Sequence, residues 1–287
     1  DRGLEPHRPD DPAEHPRDHL RGDRRVSVGA LFMAGVVPAL VLVAALCTTV
    51  WFLTRKQEEL RLPRSTWGTR GRTAVAALPA LGSAVVILGG ILSGVFTPTE
   101  ASGIGVIYIL VLALAYKALT WRKMYRTLLT TVETSGSVLL IVAAAALFGW
   151  VLAREQAPQV AANLILDLTN QPIVFLILVN VLLLIVGCVL EPTAAILILV
   201  PVLAPVAETF GIDPVHLGIM VIFNLLIGLI TPPVGLVLFV LSSVTKASVP
   251  TVIKGILPFF APMVVTLLVI TFLPVMTLGL PTVLGFL

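Results

Sequence analysis

Beyond residue 27 the chain alternates long apolar stretches with short polar or basic connections. A bilayer's hydrocarbon core of about 30 Å takes roughly 20 apolar residues per helix. Residues 28–53, 74–96, 103–119, 135–152 and 256–278 meet or approach that length. They are apolar all round, whereas a helix of a soluble bundle needs a polar face. The pattern therefore predicts an all-α polytopic membrane protein. Two other apolar regions are punctuated differently. In 173–209, two apolar arms meet at Glu191, Pro192 and Thr193 with no basic residue between them, which predicts a re-entrant hairpin. An open turn at membrane depth survives only where protein or a watery cavity covers it, so this tip is expected to face the centre of the fold. The segment 215–245 is interrupted at TPPVG (231–235), which predicts a discontinuous helix.

Composition supports this reading: 57% of residues are hydrophobic and only 12% charged, and the mean hydropathy is +1.01. Cys47 and Cys188 lie inside apolar stretches without a CxxC partner, which supports neither a disulfide framework nor a zinc site. The net charge of +3 does not point to nucleic acid, because the basic residues cluster beside membrane spans. They report orientation, since short loops rich in Lys and Arg stay cytoplasmic. Arg55, Lys56, Arg61, Arg64, Arg70 and Arg72 mark one such loop, and Lys117, Arg122, Lys123 and Arg126 another. The connection at 97–100 then lies on the opposite side, residues 157–171 form an amphipathic stretch at the interface, and Lys246 and Lys254 return the chain to the cytoplasm. Residues 1–25 are charged and rich in Pro and His, with no initiator Met or signal peptide, and read as a disordered tail. His7, His15 and His19 do not suggest a metal cluster, because Pro6, Pro9, Pro12 and Pro16 prevent helical spacing. The organisation expected is a head over 1–27, spans with basic loops over 28–134, a region of hairpin and broken helix over 135–250, and a last crossing over 251–287.

The sharpest chemical feature is GLITPPVG at 228–235. Proline has no N–H to bond the carbonyl four residues earlier, so Pro232 and Pro233 are expected to free the carbonyls of Gly228 and Leu229. An unsatisfied carbonyl in hydrocarbon costs several kcal/mol. A sodium ion held by such oxygens, with Gly228 and Thr231 as ligands, would meet that need. The helix restarting after Pro233 points its positive end at the same place and suits an anionic group. Glu191 is the second signal, because a carboxylate at the bilayer centre costs about 2.5–3.5 kcal/mol. It either contributes to a site or caps the returning arm; Pro192 frees the carbonyl of Cys188, and Gly187 permits close approach. In GGILSGVFTPTEAS (89–102), Thr99 and Glu100 read first as caps of a helix starting near Ala101, with Pro98 ending the one before, and only then, with Thr97, as additional site contacts. Asn180 and Asn224 read as interhelical glue, Asn224 being carried also as an additional site residue. No Walker loop and no Ser-His-Asp set occurs, so the sequence offers no constellation for an enzyme and calls for no cofactor beyond a coupling ion.

Together GGILSGVFTPTEASG, GCVLEPTAAILILVPVLAPV and GIDPVHLGIMVIFNLLIGLITPPVG, with their intervening lengths, resemble the large permease subunit of tripartite ATP-independent periplasmic (TRAP) transporters, DctM type. The resemblance runs from about Gly29 to the C-terminus and implies the second inverted repeat of an ion-transporter-superfamily elevator fold. VLEPTA would be its hairpin tip and GLITPPVG its broken helix. It further implies sodium-driven uptake of a small carboxylate, such as a C4-dicarboxylate or sialic acid, in the bacterial inner membrane. The implied partners are a small DctQ-type membrane subunit and a periplasmic substrate-binding protein. The first repeat is expected to be mostly missing. With permitted codons, residues 1–25 read one nucleotide later can give TAASSPIGPTIPPSIPVIIYAVTGV, which resembles a first-repeat broken helix; the head is therefore expected to be off-frame. The alternatives are a binding-protein-independent anion permease of the same superfamily and a nonfunctional truncated remnant.

Overall fold

The computed structural model describes residues 27–56, 65–156, 159–160, 163, 165 and 171–287. Ten helices are formed there: α1 (Val28–Thr54), α2 (Trp67–Leu92), α3 (Pro98–Ala115), α4 (Trp121–Arg154), α5 (Pro172–Gly187), α6 (Pro192–Thr209), α7 (Pro214–Gly228), α8 (Leu236–Thr245), α9 (Val249–Phe272) and α10 (Val275–Val283). No strand occurs among the described residues. The starts follow local chemistry. Proline occupies an opening position of α3, α5, α6 and α7, where its missing N–H has no intrahelical partner to lose. Ser27, Thr66, Thr97, Glu191 and Asp213 accept from the first free amides of α1, α2, α3, α6 and α7.

Helix α7 is the hub, packing against α1, α5, α6, α9 and α10. On one side, Phe175, Leu183, Met220 and Leu225 form the centre of a core shared with α5 and α6, where Phe175 stacks on Phe210 at 4.8 Å between ring centroids. On the other, Ala30, Ala34, Val215, Ile219 and Ile270 join α7 to α1 and α9. By contrast α2 and α4 bury no residue, and α2 and α3 pack chiefly on each other. Val75, Leu78, Val106, Ile107, Leu139 and Leu140 are among the many large apolar side chains exposed there. Continuous apolar surface of that extent would not persist in water, but it suits acyl chains. Six of the helices are long and apolar enough to cross a membrane, α6 among them. The chain is a multi-pass, all-α membrane protein.

Three boundaries differ from the sequence expectation. Helix α4 starts at Trp121, so Arg122, Lys123 and Arg126 lie on helix, not in a loop. Lys and Arg are good helix formers, and 34 residues at about 1.5 Å each outrun the hydrocarbon core, leaving basic turns for the headgroups. Helix α2 likewise takes in Arg70 and Arg72. The expected crossing at 256–278 divides into α9 and α10 around Leu273 and Pro274, because Pro274 cannot donate to the helix behind it. The head at 1–26, Arg61, Arg64 and most of the stretch 157–171 lie outside the described residues.

Aromatic–cation pairs stand where interfaces are expected: Arg55 over Trp51 at 5.4 Å, Arg70 over Trp67 at 5.3 Å and Arg154 over Trp150 at 5.4 Å. Arg55 ends α1 and Arg70 opens α2, whereas Arg154 ends α4. We predict that single cysteines at Arg55, Arg70 and Lys117 are labelled from the cytoplasmic side by a membrane-impermeant maleimide. Cysteines at Gly94 and Arg154 are labelled from the other side. Labelling of all five from one side contradicts this topology.

Candidate functional site

The site is built where the turn between α5 and α6 meets the gap between α7 and α8. At its base two glycines bring backbone against backbone. A Cβ on Gly228 would lie 2.6 Å from both Cα and C of Gly187, and one on Gly187 would lie 3.1 Å from Cα of Gly228 and 3.2 Å from Cα of Leu225. Real Cβ atoms do not come within 3.0 Å of backbone, so the α5–α7 crossing requires glycine at 228, while a side chain at 187 would force the helices apart by a few tenths of an ångström. Gly187 and Gly228 are the last residues of α5 and α7, which places the two chain interruptions side by side.

Above the crossing, backbone bonds join the two turns. The Gly235 amide donates to the Cys188 carbonyl at 3.1 Å, and the Cys188 thiol lies 3.8 Å from the Pro232 carbonyl. Gly235 sits at φ +50°, where a Cβ would fall 2.9 Å from the Thr231 carbonyl, so the residue reopening the helix must be glycine. The Pro232–Pro233 peptide is cis.

The fate of the freed carbonyls differs from expectation. Gly228 O accepts from Thr231 N at 2.9 Å, Leu229 O accepts from Val237 N at 3.1 Å, and Cys188 O is the Gly235 acceptor. A tight turn before the prolines meets Gly228 O locally, and the chain then folds back so that amides on the far side of the break reach Leu229 O and Cys188 O. The bare oxygens are instead those of Ile230 and Thr231, which accept no hydrogen bond among the described residues. Across the gap, the Val234 and Leu236 amides likewise donate to nothing in the described chain. The Thr231 hydroxyl donates to Ile227 O at 2.7 Å, and its lone pairs face no donor among the described residues. The break thus presents three neutral oxygens and two N–H groups at the open end of α8, a set able to hold a small cation and an anionic group side by side.

Glu191 and Thr193 are exposed and belong to the cap of α6. Glu191 accepts from Ala194 N at 3.0 Å and from the Thr193 hydroxyl at 2.8 Å. Capping is the role the structure displays for this carboxylate, which follows Cys188 by three residues. Pro192 opens α6. Thr97 and Glu100 form a reciprocal capping box: the Thr97 amide donates to Glu100 at 2.8 Å, and Glu100 N donates to the Thr97 hydroxyl at 3.3 Å. Thr99 lends its carbonyl to Ser102. All three lie on the α2–α3 pair, whose main packing is internal. Asn224 is fully buried one turn before Gly228 and donates to Asn180 Oδ1 at 2.6 Å. The sequence did not reveal the Ile230 and Thr231 carbonyls, because satisfaction of Gly228 depends on a tight turn closed by the Thr231 amide and that of Leu229 on the Val237 amide across a fold-back.

Comparison with known proteins now bears on this geometry. The model of "Tripartite ATP-independent periplasmic transporter, DctM component" matches residues 24–276. The chain belongs to the DctM family. It is 41% identical over 256 residues to a sialic acid TRAP transporter large permease protein of Vibrio cholerae, covering 89% of this chain and 60% of that protein. It is 42% identical over 260 residues to a C4-dicarboxylate TRAP transporter large permease protein of Pseudomonas aeruginosa, covering 90% and 61%. A 2,3-diketo-L-gulonate TRAP transporter large permease protein of Escherichia coli is 35% identical over 250 residues, covering 87% and 59%. This DctM chain therefore spans about three-fifths of the length of the relatives it matches. Its relatives are transporters, not enzymes, and membership fits a multi-pass protein of the bacterial inner membrane.

The glycine crossing gives a direct test. Gly228→Ala is expected to destabilise the folded chain by about 1–3 kcal/mol, the usual range for overpacking, although alanine is the better helix former. Gly103→Ala, with nothing within 4 Å of its added carbon, serves as the control and should be neutral or slightly stabilising. Melting in lipid nanodiscs measures both; equal midpoints for the two variants contradict the crossing.

Proposed function

We propose that this chain carries the second-repeat half of the ion and substrate site of a sodium-coupled permease that takes up small carboxylates. Sodium binds at the break through the Ile230 and Thr231 carbonyls and the Thr231 hydroxyl, with Gly228, Leu229, Pro232, Pro233 and Gly235 shaping the turn. The substrate carboxylate lies toward the Val234 and Leu236 amides, facing the hairpin tip of Gly187, Glu191, Pro192 and Thr193. The observation that carries this reading is the interruption between Gly228 and Leu236, seated on the Cys188 turn with backbone oxygens left open. Inside an apolar protein such oxygens cost several kcal/mol each unless a guest or water meets them.

In this reading 173–209 is a re-entrant hairpin and 215–245 one discontinuous helix of an elevator-type transport domain, with a periplasmic binding protein and a small membrane subunit as partners. The named relatives act on sialic acid, C4-dicarboxylates and 2,3-diketo-L-gulonate, which share an organic acid character. No Lys or Arg occurs between Arg154 and Lys246 to select one acid, so the choice falls to the binding protein. A complete permease must supply the opposing half of the site.

Thr231→Ala, in a complete permease carrying this segment and reconstituted with a small membrane subunit and a binding protein, is expected to weaken sodium activation of uptake about tenfold, equal to about 1.4 kcal/mol. Uptake measured against sodium concentration reads this; an unchanged sodium curve removes Thr231 from the site.

A further inference from the structure

A second group of polar side chains lies one to two turns inside the glycine crossing, where α5, α7 and α9 meet. Asn180, Asn224 and Thr271 are buried there, Asn224 and Thr271 completely. The orientation of each amide is fixed. Asn224 Nδ2 donates to Met220 O at 2.9 Å and to Asn180 Oδ1 at 2.6 Å, and Asn180 Nδ2 donates to Leu176 O at 2.7 Å and to Thr271 Oγ1 at 3.2 Å. Turning either amide over would set oxygen against a helix carbonyl. The Thr271 hydroxyl donates to Leu267 O at 2.8 Å. Every N–H and O–H of the cluster is thereby committed. What remains is acceptor capacity: Asn224 Oδ1 has no hydrogen-bond partner among the described residues, and Asn180 Oδ1 and Thr271 Oγ1, 3.4 Å apart, each keep a lone pair once the committed donors are counted.

That balance selects the guest. A buried amide oxygen left unmet costs about 1–3 kcal/mol. A water could donate to Asn224 Oδ1, but no donor in the cluster is left for the water's own oxygen, and buried waters ordinarily make about three hydrogen bonds. A cation needs acceptors only. No Asp or Glu occurs in α5, α7 or α9, so nothing there offsets a double charge, and neutral oxygens suit a hard monovalent ion. We propose that Asn224 Oδ1, with Asn180 Oδ1 and Thr271 Oγ1, forms a monovalent-cation site, occupied by sodium and separate from the break. It extends the sodium-coupled reading, yet stands on different residues. An ion here bridges α5, α7 and α9, so its binding tightens the packing that holds Gly187 on Gly228.

The test uses the purified chain in lipid nanodiscs, melted in sodium chloride and in choline chloride of equal ionic strength. Radioactive sodium binding is measured in parallel. An ion bound only by the folded state raises its melting midpoint. The sodium-dependent rise should survive in Thr231→Ala and vanish in Thr231→Ala/Asn224→Leu. Thr271→Val, of nearly equal shape, should weaken sodium binding about tenfold, which keeps the proposal testable if Asn224→Leu does not fold. Retention of the full sodium-dependent rise by Asn224→Leu overturns the site, as does unchanged sodium affinity in Thr271→Val. A Thr231→Ala chain that keeps normal sodium-driven uptake counts against the break site alone, so the two proposals fail separately.

Discussion

The contact of Gly187 with Gly228 is the constraint from which the rest of the structure follows. Each glycine ends its helix; a carbon added to Gly228 would collide with the Gly187 backbone, and one added to Gly187 would crowd that of Gly228 at 3.1 Å. Because they meet, the turn after α5 and the gap after α7 are stacked, not scattered through the bilayer. The Gly235 amide then reaches Cys188, and α8 restarts in register with the turn. Hydrophobic attraction does not drive helices together in lipid, so close backbone packing of this kind is a main source of association there.

Proline interruption poses a problem of accounting in a solvent without hydrogen bonds. The chain solves most of it internally: of the three carbonyls that proline should have stranded, Gly228 O is met by the Thr231 amide in a local turn, and Cys188 O and Leu229 O by amides from across the fold-back. What is left over is small and local, two carbonyls and two amides at one mouth. A break that satisfied everything would be a kink, and one that satisfied nothing would not survive in hydrocarbon. The intermediate outcome is what a site for transient guests requires.

Much of this was legible in the residues. Hydropathy placed α1, α2, α3 and α4 because the need for about 20 apolar residues is blunt and hard to counterfeit. TPPVG announced the break because proline acts within one turn, whereas TPTE announced a helix start but misplaced it: Thr97, not Thr99, is the cap, and Pro98 opens α3 instead of ending the preceding helix. Less local facts escaped. The start of α4 inside a basic run depends on depth in the membrane, not on composition, and the division of 256–278 depends on how Pro274 is accommodated. Which oxygens stay open at the break, and how Asn180 meets Asn224 across 44 positions, are settled by packing between distant segments. Asn224 was read as glue between helices and does bind Asn180 in that way, but its unpartnered oxygen belongs to the three-helix junction.

The most direct test of the account is a structure of a complete permease bearing this segment, determined once in sodium and once in choline. The account predicts density between the Ile230 and Thr231 carbonyls and the Cys188 turn in sodium, and its loss in choline with the glycine crossing retained. A break that is closed, facing acyl chains and identical in both salts would contradict it.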